Sequence, residues 1–100
     1  MSNLLNSVSN EARLKIGLLF PLEERASAER ILIDQLNPAL RHIKAGSLDR
    51  WHFAALKLSE GTIPKLQSAV ALGRRDWRDL LMAANFGADA DAYRSWQPGQ

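Results

Sequence analysis

One hundred residues, 46% hydrophobic and 24% charged, are enough for one small globular domain and exclude a largely disordered chain. The lack of cysteine excludes disulfides, thiolate nucleophiles and cysteine-based metal centres, and no apolar run approaches the roughly 20 residues of a membrane-spanning helix. A net charge of +2 does not by itself mark a nucleic-acid binder, but its distribution is uneven, with eight basic against three acidic residues in 41–78 and acidic ends on either side. Such a middle either forms an electropositive face or pairs with ends folded back onto it, and a bundle of helices is expected to do the second.

Helical punctuation runs along almost the whole chain. Residues 1–9 are polar apart from Leu4, Leu5 and Val8 and are expected to fray or form a loose turn. From Asn10, read as an N-cap, Ala12, Ile16, Leu19 and Phe20 recur at helical intervals up to Pro21. Pro21 then opens a second helix, with Glu23 and Glu24 complementing the positive end of its dipole. Leu22, Ala26, Ile33 and Leu36 share one side of it. Asn37-Pro38 ends it, because a residue before proline is pushed out of the α region. A short helix through Leu40 and Ile43 closes at Gly46.

Ser47 or Asp49 caps the next helix, which reaches about Ser59 and turns Leu48, Trp51, Ala55 and Leu58 inward, with Phe53 and Leu56 widening the stripe. Gly61 stops it. Thr62 caps a helix that tolerates Pro64 in its first turn and has Ile63, Leu66, Ala69, Val70 and Gly73 on one face. Asp76-Trp77-Arg78-Asp79 reads as a capping box in which Asp76 accepts from the N–H of residue 79 and Asp79 from the N–H of residue 76. Leu80, Leu81, Ala84 and Phe86 extend that helix to Gly87, and a last short one opens at Asp89 and carries Tyr93 and Trp96 inward. No segment alternates as a strand would. The expected fold is all-α, a compact bundle of about five to seven short helices in one domain spanning residues 1–100. Trp51, Trp77 and Trp96 are its expected core anchors, each costing about 3–5 kcal/mol if cut to alanine.

Site chemistry is sparse. His42 and His52 lack further ligands at metal spacing and are expected to be partly exposed, bonded to backbone or water, so no metal and no cofactor is expected. No nucleophile elbow or Ser-x-x-Lys occurs, and capping accounts for Asp76 and Asp79, so an enzyme is not expected. Gly73-Arg74-Arg75-Asp76-Trp77-Arg78 places three arginines at a helix start, where anions bind, yet the two aspartates would repel a phosphate. Ala69, Leu72, Gly73 and Met82 fit a helix-turn-helix, but Arg74 and Asp79 fall where that motif packs apolar side chains.

From Arg74 onward, Arg-Arg-Asp-Trp-Arg-Asp-Leu-Leu-Met-Ala-Ala-Asn-Phe and the Trp96-Gln97-Pro98 tail resemble small bacterial proteins of unknown function. The resemblance covers the last third of the chain and implies a bacterial cytosolic origin, with no activity attached. The chain start lacks the basic region of a signal peptide, so the cytoplasm is the expected compartment. The reading that follows is a non-enzymatic protein–protein interaction module, with homodimerisation as one form of it. Its expected interface is the apolar surplus of the N-terminal segment at Leu4, Leu5, Val8, Ile16, Leu19 and Phe20. The alternative is weak nucleic-acid binding through Lys65, Arg74, Arg75 and Arg78. No membrane partner is expected.

Overall fold

Ser9, one residue before the expected cap, starts the first helix: its Oγ accepts from the Ala12 N–H at 3.1 Å. In the computed structural model, which describes residues 7–44 and 47–98, this helix, α1, spans Asn10–Leu19. Phe20 breaks out into extended backbone, and Pro21 sits at the N-cap of α2, Leu22–Ile31. The Asn37-Pro38 pair does not end the chain's helical course. The backbone widens into a π-helical stretch, Leu32–Leu36, and then tightens into a 3₁₀ turn, Asn37–Leu40. Proline lacks an N–H and its ring crowds the carbonyl four residues back. Widening just before it, with the Asn37 N–H reaching back five residues to Leu32, accommodates the ring and keeps Asn37 in the α region. The expected closure of the next turn by Gly46 lies outside the described residues.

Three α-helices complete the fold: α3, Leu48–Ser59; α4, Ile63–Arg75; and α5, Trp77–Ala83. Ser47 stands at the start of α3 without a side-chain capping bond, whereas Thr62 caps α4 by accepting from Lys65 N–H. Between them Glu60 and Gly61 both adopt the left-handed conformation. At Gly61 that conformation is compounded by a close approach, since a Cβ there would lie 2.4 Å from the Leu19 carbonyl oxygen at the end of α1. The tail adds a 3₁₀ turn, Ala92–Ser95, three residues after the Asp89 start expected for the last short helix. Among the described residues there is no strand, and the architecture is the all-α bundle the periodicity predicts.

α3 is the central element. It packs on α1, α4 and α5 and on the C-terminal turn, and its residues 51–56 are all buried. Gly73 lets α4 approach closely, because a Cβ would come within 2.8 Å of Leu80 Cδ2 and 2.9 Å of Leu36 Cδ1. Of the three tryptophans only Trp51 is a core residue; Trp77 and Trp96 are half-buried against the core edge. Trp51 Nε1 donates to the Trp77 carbonyl at 3.1 Å, which ties α3 to the start of α5 and satisfies an otherwise stranded donor.

Candidate functional site

The expected interface on the N-terminal segment divides sharply. Leu4 and Leu5 lie outside the described residues. Val8, Ile16 and Phe20 are buried and Leu19 is half-buried, so they hold α1 to the bundle rather than facing a partner. What α1 turns outward is Leu14 and Leu18, 69% and 68% exposed, and Leu22 at the start of α2 is 75% exposed. The helical period explains the exchange: Leu14 and Leu18 each lie two residues from Ile16, about 200° away around the helix, and four residues from each other. Their exposure was therefore readable from the same pattern that places Ala12 and Ile16 in the core.

Lys15 gave no such signal. It follows Glu11 by four residues, the spacing of a surface ion pair, yet it is only 6% exposed. Its ammonium lies 4.6 Å from the centre of the Phe53 ring and 5.7 Å from that of Trp96. Phe53 comes from α3 and Trp96 from the chain's end, so this arrangement exists only once the tertiary fold has formed. Beside it, α1 and the C-terminal turn border an open groove of about 630 Å³.

The basic middle segment is resolved residue by residue. Arg50 donates to the Phe86 carbonyl at 2.7 Å and Lys57 to the Ala84 carbonyl at 2.9 Å, so both fasten the end of α5 to α3. Lys65 pairs with Glu60, and Arg78 with Asp76 at 3.3 Å. Arg41, Lys44, Arg74 and Arg75 are exposed and form no ion pair among the described residues. The end segments pack against this segment, α1 and the C-terminal turn on α3 and α2 on α4, but no ion pair among the described residues joins the acidic ends to it: besides the two above, Arg13 pairs with Glu29, Arg30 with Asp34 and Arg94 with Asp91. Trp77 stands at this face, with the His42 ring 5.3 Å away and the Arg78 guanidinium 5.6 Å from its centre.

Asp76 caps α5 alone. Its Oδ1 accepts from the Arg78 N–H at 2.9 Å, and its own N–H goes to the Leu72 carbonyl instead of to Asp79. The Arg78 main-chain N–H, and then the Arg78 side chain, hold its carboxyl below the usual aspartate range. The expected box does not form: Asp76 accepts from the N–H of Arg78 rather than of Asp79, whose N–H goes to the Asp76 carbonyl, and the Asp76 N–H is committed to Leu72 because Asp76 is also the C-cap of α4.

His52 departs furthest from expectation. It is fully buried, and its Nε2 lies 2.6 Å from Asn37 Oδ1, while Asn37 Nδ2 donates to the Ser7 carbonyl at 3.2 Å. That second bond fixes the amide orientation, so the oxygen faces the imidazole and the ring proton sits on Nε2. Nδ1 is left without a partner. Burial pushes the imidazole down to about 4, against a smaller opposing pull from Asp49. This is a neutral structural histidine linking α3 to the π–3₁₀ junction. No cluster of three His, Cys, Asp or Glu side chains capable of holding a metal occurs among the described residues, and no helix there is long and apolar enough to cross a membrane. In comparisons with protein-family models, curated proteins and solved structures the chain matches none.

Proposed function

We propose that the protein is a non-enzymatic interaction module of the bacterial cytosol that docks partners on the outward face of α1. The observation that carries this reading is the exposure of Leu14 and Leu18 one turn apart on a helix whose opposite side is fully committed to the core, with Leu22 exposed just beyond the Phe20-Pro21 break. Such apolar side chains on a small domain gain free energy when a second apolar surface covers them. Self-association is the simplest form, since an isologous contact needs only one such face. Sedimentation velocity over a wide concentration range tests it: the wild type is expected to form dimers reversibly, and Leu14→Glu with Leu18→Glu to remain monomeric with unchanged helicity. A wild type that stays monomeric at the highest concentrations overturns the homodimeric form.

A second reading, weak nucleic-acid binding, is favoured by one observation. The exposed Arg74 and Arg75 precede, across Asp76, the half-buried Trp77, whose ring is flanked by His42 and Arg78. Cations beside an aromatic face suit a phosphate backbone and its bases. Lys65 contributes less, being held by Glu60.

A further inference from the structure

The groove between α1 and the C-terminal turn is lined among others by Glu11, Arg13, Leu14, Lys15, Leu18 and Arg94. Its volume of about 630 Å³ falls within the range of small-molecule sites, roughly 300–1,000 Å³. Lys15 gives it a chemical direction. Withdrawing an ammonium from water is costly unless something replaces its hydration. Here Phe53 and Trp96 present ring faces to the charge, but a ring face is a weak substitute for an oxygen acceptor. No oxygen of the described residues accepts a hydrogen bond from Lys15, although its side chain lines the groove. The other two cations of the groove are engaged, Arg13 by Glu29 and Arg94 by Asp91. Glu11, a turn before Lys15, forms no ion pair.

We propose that this groove binds a small amphiphilic monocarboxylate, its oxygens accepting from the Lys15 ammonium and its alkyl or aryl part lying along Leu14 and Leu18. One unengaged ammonium suits one negative charge. A phosphate dianion would need further donors and would face Glu11 at the rim. The two exposed leucines reward an apolar tail that acetate lacks. The site rests on Lys15 and the groove, not on self-association, although both use the same leucines.

Calorimetric titration of the full chain with octanoate and with 4-phenylbutyrate tests the assignment, with octanol supplying the tail without the charge and acetate the charge without the tail. At least one of the two carboxylates is expected to bind saturably at one per chain, and octanol and acetate at least tenfold more weakly. Lys15→Met, which retains the apolar stem, is expected to lower affinity at least tenfold. Two surface changes keep the test decisive if that variant folds poorly: Leu18→Ser should weaken binding several-fold and Glu11→Gln should tighten it. The assignment is overturned if neither carboxylate saturates, if octanol binds as well as octanoate, or if the variants leave affinity unchanged. Sedimentation of the same samples separates the two readings. A dimer that ignores carboxylates overturns the ligand site alone, and a monomer that binds them overturns homodimerisation alone.

Discussion

The buried His52–Asn37 pair makes a single side chain answerable for part of the protein's response to acid. An imidazole held neutral at about 4 in the folded protein titrates near 6.5 once unfolded, so between those values the unfolded chain binds more protons. Its contribution is fully present above about pH 6.5 and is lost as pH falls toward 4. At 1.36 kcal/mol per unit, the loss between pH 7.5 and pH 5 is about 2 kcal/mol. Urea unfolding at the two pH values measures it. His52→Gln, whose amide can still donate toward Asn37 Oδ1, is expected to lose stability overall but to show a much flatter profile over this range. An equal pH dependence in wild type and variant would assign the acid sensitivity to carboxylates instead. Nothing in the sequence announced this residue. The pattern Leu48, Trp51, Ala55, Leu58 sets the buried stripe of α3, and His52 lies beside Trp51; only the arrival of Asn37 from 15 residues upstream explains why a polar ring is tolerated there.

At the level of the element, the helix interiors were legible and several of their ends were not. Interiors follow from repeated apolar spacing, which many residues specify together, and α3 and α4 match their expected spans closely. Ends depend on one or two groups with competing options. Gly87 is the obvious stop for α5, yet Asn85 takes the left-handed conformation first, at φ 65°. The Phe86 N–H then bonds to the Leu81 carbonyl at 2.8 Å and the Asn85 N–H to that of Met82 at 3.1 Å, the paired bonds of a Schellman ending. Leu81 and Phe86 are both buried, which sets the stop two residues early. The start of α5, where Asp76 caps singly through the Arg78 N–H, is the most testable end. Asp76→Ala removes the oxygen that accepts the Arg78 N–H and is expected to lower the melting temperature by about 5 °C. Asp79→Ala removes only a favourable charge in the first turn and should lower it by no more than about 2 °C. Equal losses in a thermal melt followed by circular dichroism would restore the reciprocal box.

Across the whole molecule, the local character of the ion pairs decides what the surface presents. Those acidic residues of the two ends that form ion pairs do so with basic residues of their own segments, Glu29 with Arg13, Asp34 with Arg30 and Asp91 with Arg94, and none pairs with the middle. Exposed pairs of this kind contribute little stability, but they leave the surplus positive charge of residues 41–78 facing solvent. That segment's charge count was legible from the sequence; its lack of ion pairs with the ends was not, because the same count is compatible with acidic ends that pair with it. Arg41, Lys44, Arg74 and Arg75 are therefore expected to attract polyanions, with Asp76 and Asp79 limiting the strength. Fluorescence anisotropy of labelled single- and double-stranded oligonucleotides tests this. Binding through about four phosphate contacts is expected to weaken roughly a hundredfold between 50 and 200 mM salt. Joint Arg74→Glu and Arg75→Glu substitution should abolish it. Single strands that quench tryptophan fluorescence would bring in Trp77 as a stacking platform, since Trp51 is buried and Trp96 packs near Lys15. The two proposed surfaces can then be separated, because substitutions at Leu14 and Leu18 should leave oligonucleotide affinity unchanged while arginine reversal leaves the association state unchanged. No anisotropy change at low salt would remove the nucleic-acid reading and leave the proposal for the face of α1 to be decided by its own sedimentation test.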